Sequence, residues 1–301
     1  MIYLLKNGNL HENVSAAEGQ RLCVISLAEL DEAVGLLGES EKNLLECLRG
    51  NVSKHENHEG FDYLSLSLPD RNDLLAPPSR LSAYLTSSVL VLIADGSSEL
   101  NTVLTSLHTE ELHCEEIGRV LYTVLDRLTS DDFQMLEELE QEISELEEAL
   151  ITAQKSNCIR EIVSLRKRLM VLKRYYERLL SICEGIEENE NGLLSKHVLR
   201  GFRLLKARIS RMDSGVHNLR DYVTQVREAY QAQVDINLNQ IMKIFTVITA
   251  IFLPLTLVVG WYGMNLMMPE YGWRYTYPVV IGLSIAVVVF FVIYFKKKQW
   301  F

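Results

Sequence analysis

The hydrophobic pattern of the chain changes character along its length. Leu22–Leu27, Tyr63–Leu68, Leu81–Leu85 and Val89–Ala94 are short runs rich in Leu, Val, Ile and Tyr, bounded by turn residues, and they predict strands. Ala28–Gly38 and Glu99–Leu128 space their apolar residues at helical intervals. Lys54–Gly60 and Pro69–Arg80 read as loops by composition. Residues 1–130 are therefore expected to form an α/β or α+β domain whose strand order the pattern leaves open.

From residue 131 onward the period is helical. Leu136, Leu139, Ile143, Leu146 and Leu150 mark one amphipathic helix. Ile162, Leu165, Leu169, Leu172 and Tyr176 mark a second, after a short polar break at Ala153–Cys158. Glu184–Asn191, bounded by Gly185 and Gly192, reads as a further turn, so 131–194 is predicted to be an antiparallel helical hairpin. From Ser195 no strong break occurs until Tyr262. Met212, Val216, Leu219, Val223, Val226 and Tyr230 form a heptad stripe there. A helix of roughly 65 residues would be about 100 Å long, with 195–240 as a stalk. Gly201 and Gly215 each weaken it slightly.

The end of the chain is apolar throughout. Ile244–Met268 and Tyr275–Phe295 contain no charged residue, and each exceeds the roughly 20 residues that cross a bilayer core. The competing reading, two buried core helices, rarely shows such length without a charge. The expected spans are 241–262 and 275–295, joined by a loop at 263–274 too short for anything but an antiparallel pair. Lys296, Lys297 and Lys298 in the tail, 296–301, hold that side in the cytoplasm. The opening residues MIYLLKNGNLHEN lack a basic segment followed by a long apolar run, which agrees with a cytoplasmic N-terminus. Trp261, Tyr262, Tyr271, Trp273, Tyr275 and Tyr277 gather at the far end as an interfacial aromatic belt.

Charge adds to this picture. The net charge of −10 argues against a nucleic-acid partner and favours cations, or simply solubility. Residues 131–150 carry nine acidic and no basic side chains, whereas 160–178 carry seven basic and two acidic ones. That asymmetry predicts an acidic helix pairing with a basic one, with a metal-attracting surface as the alternative. The five cysteines (Cys23, Cys47, Cys114, Cys158, Cys183) include no C-x-x-C pair and are expected to be reduced thiols. Phosphate-binding loop, nucleophile elbow and zinc-protease motifs are all missing from the sequence, so neither an enzyme nor an ATP-driven pump is expected.

No ionisable group lies inside either span, which disfavours a proton-coupled carrier. A charge-free pore can still hold ions through carbonyls, amides and hydroxyls, although two helices cannot enclose one without other subunits. Steps of three and four residues place Glu228, Ala232, Asp235, Asn239, Met242, Phe245, Thr249, Leu253, Thr256 and Gly260 on one helix face. Acidic rings from Glu228 and Asp235 would concentrate cations, and apolar rings would gate by dewetting. Met242, Phe245 and Leu253 as ordinary packing residues are the alternative.

The end of the first span is more specific. Tyr262-Gly263-Met264-Asn265 is followed by Met268-Pro269-Glu270. This resembles the Gly-Met-Asn signature, with the Met-Pro-Glu that often follows it, of the CorA family of magnesium and cobalt channels. The flanks Met242–Thr256, Tyr277-Pro278-Val279-Val280 and the terminal Lys-Lys-Lys-Gln-Trp300 are similar too. The resemblance is sharp from about Arg220 to Phe301; upstream it is one of layout. It implies a funnel-shaped homopentamer in a bacterial or archaeal cytoplasmic membrane, with the first span of each subunit around the pore. It implies Gly263, Met264 and Asn265 as the selectivity signature, and Asn239, Met242, Phe245, Leu253, Thr256 and Gly260 as the pore row. Relatives often carry a smaller aliphatic residue where Phe245 stands. Glu270 resembles the loop acid that attracts cations outside. Mg²⁺ is implied both as cargo and as a cytosolic regulator, with no other cofactor. By chemistry alone, Asp213, Asp221, Glu228 and Asp235 are stalk candidates for such regulation, and a solvated surface role competes for Asp213 and Asp221.

His55-x-x-His58 with Glu56 and Glu59 is a possible transition-metal set, although a metal-free loop is the simpler reading. His113-Cys114-Glu115-Glu116 is a weaker one. Two other functions compete with the magnesium channel. A zinc transporter of the related ZntB type shares Gly-Met-Asn, but Met-Pro-Glu favours the magnesium branch. A membrane-anchored coiled-coil scaffold would suit the heptads and the charged hairpin, yet would not need Asn265 or the threonine row.

Overall fold

The computed structural model describes residues 2–6, 9–12, 19–26, 53–94, 102–103, 114, 116–151, 158–264 and 268–300. The helix expected at Ala28–Gly38 lies outside the described residues, as do Cys47, His113, Glu115 and most of the polar break at 153–158. The chain forms two compact units, residues 1–226 and 227–301.

The first unit is built on a seven-stranded sheet. Its strands are β1 (Ile2–Lys6), β2 (Asn9–Glu12), β3 (Arg21–Ser26), β4 (Lys54–His58), β5 (Phe61–Leu68), β6 (Ser79–Leu85) and β7 (Val89–Ala94). They lie in the order β2-β1-β3-β7-β6-β5-β4. Among the described residues only β3 and β7 pair in parallel, with Cys23 opposite Val91; the other pairs are antiparallel. The four strands predicted from sequence are the four central ones. Leu22, Leu66, Leu81, Leu90 and Leu92 are buried there, and both faces of β5 and β7 are covered, so these strands read as continuous apolar runs.

Lys54–Gly60 is not a loop. Lys54–His58 is the edge strand β4, and its polar side chains suit a sheet edge. The turn to β5 is made at Glu59–Gly60, where Gly60 has φ +83°. Gly185 admits this strand against a helix: a Cβ there would stand 2.3 Å from His55 Nδ1. Burial lowers the His55 pKa and keeps its imidazole neutral, against the pull of Asp62 and Glu188.

Among the described residues five α-helices follow the sheet, the first four in direct succession. Helix α1 is Ile117–Leu128, α2 Asp132–Ile151, α3 Cys158–Glu188 and α4 Lys196–Tyr262. Helix α1 does not extend back to Glu99, because Glu116 is extended and Cys114 is not helical. The Ile117 N–H donates instead to Gln20 Oε1 at 2.9 Å, a cap supplied by a residue 97 positions away. Helix α3 runs on to Glu188, past the start of the expected turn at Glu184, because Ile182, Cys183 and Ile186 continue its buried stripe. The turn is made at 189–192, with Asn189 and Gly192 at positive φ. There Asn191 Nδ2 donates to the carbonyls of His58 and Phe61 and to Asp62 Oδ1 at 2.6–3.2 Å, which pins the turn to the β4–β5 hairpin.

The predicted stripes are the buried ones. Leu136, Leu139, Ile143 and Leu146 of α2, Ile162 through Tyr176 of α3, and Met212 through Val226 of α4 are withdrawn from solvent, while Leu150 and Tyr230 are half-buried. The charge pairing is another matter. Among the described residues a single ion pair, Arg168–Glu142, crosses between α2 and α3. Apolar packing, not charge, joins these helices.

A polar junction ties the sheet to the helices. Arg71, in the loop after β5, donates to the Leu128 carbonyl at 2.6 Å, to Asp131 at 3.0 Å and to Asp132 at 3.1 Å. Asp132 is 2% exposed, and burial pushes its carboxyl up to about 6 although Arg71 opposes this. Its folded pKa therefore lies above the unfolded value. The associated stability is present in full below about pH 4 and is lost as the pH rises through about 6. The thermal midpoint of the protein is expected to fall between pH 5 and pH 7.5, and Asp132→Asn to flatten that slope. An unchanged slope in the variant would refute the assignment.

Candidate permeation pathway

In the second unit, α4 continues through Tyr262, a short 3₁₀ turn spans Pro269–Gly272, and α5 covers Thr276–Lys297. Each long helix has one stripe drawn away from solvent. On α4 it is Val247, Ala250, Ile251, Pro254, Leu255 and Val258; on α5 it is Val280, Ser284, Val287, Val288, Phe291 and Phe295. The stripes match in length and period, the pattern of two helices that share one contact face. Over 244–262 of α4 and 277–295 of α5 the remaining surface is exposed and mostly apolar. Both are long and apolar enough to cross a membrane, and only 6% of the apolar window of each is buried. A soluble core helix would be mostly buried, so that alternative does not fit.

The proposed row lies away from the shielded stripe. Glu228, Asp235, Asn239, Met242, Phe245, Thr249, Leu253, Thr256 and Gly260 are all exposed. Met242, Phe245 and Leu253 are 63%, 62% and 69% exposed, so packing within the chain does not account for them. The sequence pattern did not reveal what the threonines do. Thr249 Oγ1 donates to the Phe245 carbonyl and Thr256 Oγ1 to the Phe252 carbonyl, both at 2.8 Å. The hydroxyl proton is thereby engaged, and the oxygen lone pairs are left to accept from a hydrated cation. Pro254 has no N–H to donate to the carbonyl four residues back, at Ala250, so the helix carries an extra acceptor there.

The end of α4 explains the glycine of the signature. Gly263 N–H donates to the Val259 carbonyl at 2.8 Å. A Cβ on Gly263 would lie 3.0 Å from that same oxygen, tighter than ordinary contact. Met264 is exposed. Asn265 lies outside the described residues. Beyond it, Glu270 is exposed in the 3₁₀ turn. Thr276 Oγ1 donates to the Glu270 carbonyl at 2.6 Å and lies 3.0 Å from that of Trp273, which fastens the turn to the start of α5.

Within one chain the candidate metal ligands are not brought together among the described residues. Asp213 and Asp221 stand eight residues apart on α4, about 12 Å along its axis. Asp213 Oδ1 is withdrawn from solvent without a hydrogen-bond partner among the described residues, and Asp221 is exposed 3.8 Å from His217. His55 and His58, three apart on a strand, point to opposite faces and cannot share an ion. No cluster of three or more His, Cys, Asp or Glu that could hold a metal occurs among the described residues.

A mixed-sheet domain, a helical hairpin, one very long helix and a second apolar helix, with two helices long and apolar enough to cross a membrane, define the class of protein. The CorA-like Mg²⁺ transporter protein family matches residues 29–297, and the chain belongs to that family. Its sequence is 32% identical over 182 residues to the cobalt/magnesium transport protein CorA of Thermotoga maritima, covering 60% of this chain and 52% of that protein. The chain thus spans about half the length of the curated relatives it matches. The complete structure of the CorA magnesium transporter from Methanocaldococcus jannaschii has the same fold, with a TM-score of 0.84 at 20% identity over 100% of this chain and 98% of that one. The cytoplasmic domain of ZntB from Vibrio parahaemolyticus is similar at a TM-score of 0.65, with 12% identity, over 78% of this chain and 97% of that one.

Proposed function

We propose that the chain is a subunit of a homopentameric channel that conducts Mg²⁺, and also Co²⁺ or Ni²⁺, across the cytoplasmic membrane. Residues 1–130, 131–194 and 195–240 are its cytosolic α/β domain, hairpin and stalk; 241–262 and 275–295 are its spans, 263–274 the outer loop and 296–301 the cytosolic tail. Both termini face the cytoplasm. The observation that carries this reading is the row from Asn239 to Gly260, which leads to Gly-Met-Asn and stays exposed on the side of α4 away from its shielded stripe. A ring of such rows would stack apolar constrictions at Met242, Phe245 and Leu253 between hydroxyl rings and an Asn239 ring.

Mg²⁺ surrenders its waters reluctantly. Neutral amide, hydroxyl and carbonyl oxygens can hold the hydrated ion by hydrogen bonds without stripping it. A ring of carboxylates at the same place would hold it too tightly for rapid release. Acidic side chains therefore belong at the two ends, Glu228 and Asp235 inside and Glu270 outside, where they raise local cation concentration. Cytosolic Mg²⁺ would close the channel through carboxylates between subunits, Asp213 and Asp221 among the candidates.

The test is ion uptake into liposomes holding the purified protein, with Mg²⁺ and Zn²⁺ compared. Mg²⁺ entry is the expected result. The ZntB-like cytoplasmic fold keeps zinc transport as the second reading, and Zn²⁺ entry without Mg²⁺ would establish it. Entry of neither ion would favour an anchored scaffold.

A further inference from the structure

The charge asymmetry between α2 and α3 is not consumed inside the chain. Along α3, Arg160, Lys167, Arg174 and Arg178 are exposed and make no ion pair among the described residues. Their spacing of seven, seven and four places them on one face over about 27 Å of helix. Exposed apolar side chains adjoin them: Ile159 at 58%, with Val163 and Met170 at 45% each. A merely solvated basic face would not carry such a stripe. Helix α2 presents the complement. Glu137, Glu138, Glu140 and Glu145 are exposed and form no ion pair among the described residues; Glu138 accepts from Gln134 and Glu145 from Gln141. Phe133, on the same helix, is 43% exposed.

One chain therefore shows a basic, partly apolar ridge and a separate acidic face, which spans about 12 Å from Glu137 to Glu145. Surfaces that are complementary but different make a heterologous contact, the kind that closes a ring of identical subunits. We propose that the α3 ridge of one subunit docks on the acidic α2 face of its neighbour, forming a belt of cytosolic contacts around the oligomer. The inference rests on the homo-oligomeric reading above and adds to it the surfaces that meet. The belt is electrostatic, so it loosens as salt rises, whereas contacts between apolar spans do not.

The test uses the full chain in detergent, prepared as a mixture of ¹⁴N- and ¹⁵N-labelled copies. A zero-length carbodiimide joins Lys167 to nearby carboxylates, and mixed-isotope cross-links identify contacts between copies. Native mass spectrometry reads the oligomer in parallel. Mixed-isotope links from Lys167 to α2 glutamates are expected, with yield falling at least tenfold in half-molar salt. Arg160→Glu/Arg174→Glu/Arg178→Glu, which keeps Lys167, is expected to lower the yield by a similar factor. Adding Glu137→Lys/Glu138→Lys/Glu145→Lys to that variant should restore mixed-isotope links through the surviving carboxylates. An intact oligomer without such links, or with links indifferent to charge reversal, overturns the belt and leaves the channel reading standing. A monomer under all conditions overturns both.

Discussion

Gly263→Ala is expected to reduce Mg²⁺ uptake into liposomes by more than tenfold while leaving the protein folded and oligomeric, and Asn265→Ala to abolish it. The first effect comes from geometry. The added methyl would meet the Val259 carbonyl at 3.0 Å, the same oxygen that receives the Gly263 N–H. One of the two must give by a few tenths of an ångström at the last turn of α4, and Asn265 follows only two residues later. The second effect comes from chemistry, because alanine supplies no amide to the hydrated ion. Asn265→Asp separates charge from shape. A ring of carboxylates would bind Mg²⁺ more tightly and release it more slowly, so flux is expected to fall even as Mg²⁺ protects the protein more strongly against heat. Wild-type uptake in Gly263→Ala would overturn the steric account. Wild-type uptake in Asn265→Ala would remove the signature from the selectivity mechanism.

How much of this was legible in the sequence depended on what each segment buries. The central strands β3, β5, β6 and β7 were readable because both faces of a central strand are covered and its apolar residues run together. The edge strands β2 and β4 escaped because polar side chains occupy them: Asn9 to Glu12 and Lys54 to His58 carry no apolar run, whereas β1, the five-residue apolar run Ile2–Lys6 beside β2, was passed over. The uninterrupted helix from Lys196 to Tyr262 and the Thr276–Lys297 helix followed from periodicity and from length without charge. The break ahead of α1, at Cys114 and Glu116, had a specific cause, since the cap, Gln20, lies in a distant segment that no local pattern points to. The charged hairpin was legible in part. Charge patterning marked α2 and α3 as complementary, and Arg168–Glu142 joins them, but it did not show that the buried apolar stripes supply most of their contact. At the site, the row of residues was legible, whereas the threonine back-bonds and the contact that requires Gly263 were not, because both depend on backbone atoms.

Arg71→Ala is expected to lower the thermal midpoint by roughly 6–12 °C at pH 7.5, with a smaller loss at pH 5. Arg71 is the cation beside a carboxylate that is 2% exposed, and it also satisfies the Leu128 carbonyl at the end of α1. Removing one partner of a buried pair leaves an uncompensated charge and typically costs about 3–5 kcal/mol. Arg208 stands on the other side of the junction, at 2.8 Å from Asp126 and 2.6 Å from Thr129, and its charge eases the loss, so about 3 kcal/mol is the better figure here. For a unit of this size, 1 kcal/mol shifts the midpoint by about 2–4 °C. The sign of the pH effect follows from Asp132. Burial already raises its pKa to about 6, and Arg71 is what opposes the rise. Without Arg71 the folded pKa climbs further, so stability continues to fall with pH through a higher range than in the wild type. At pH 5 the carboxyl is largely protonated in both proteins, and the variant lacks mainly hydrogen bonds. Asp132→Asn in the Arg71→Ala background should therefore recover part of the loss at pH 7.5 and little at pH 5. A deficit that stays the same at both pH values, or that Asp132→Asn does not relieve, would mean that Arg71 acts through the Leu128 carbonyl alone.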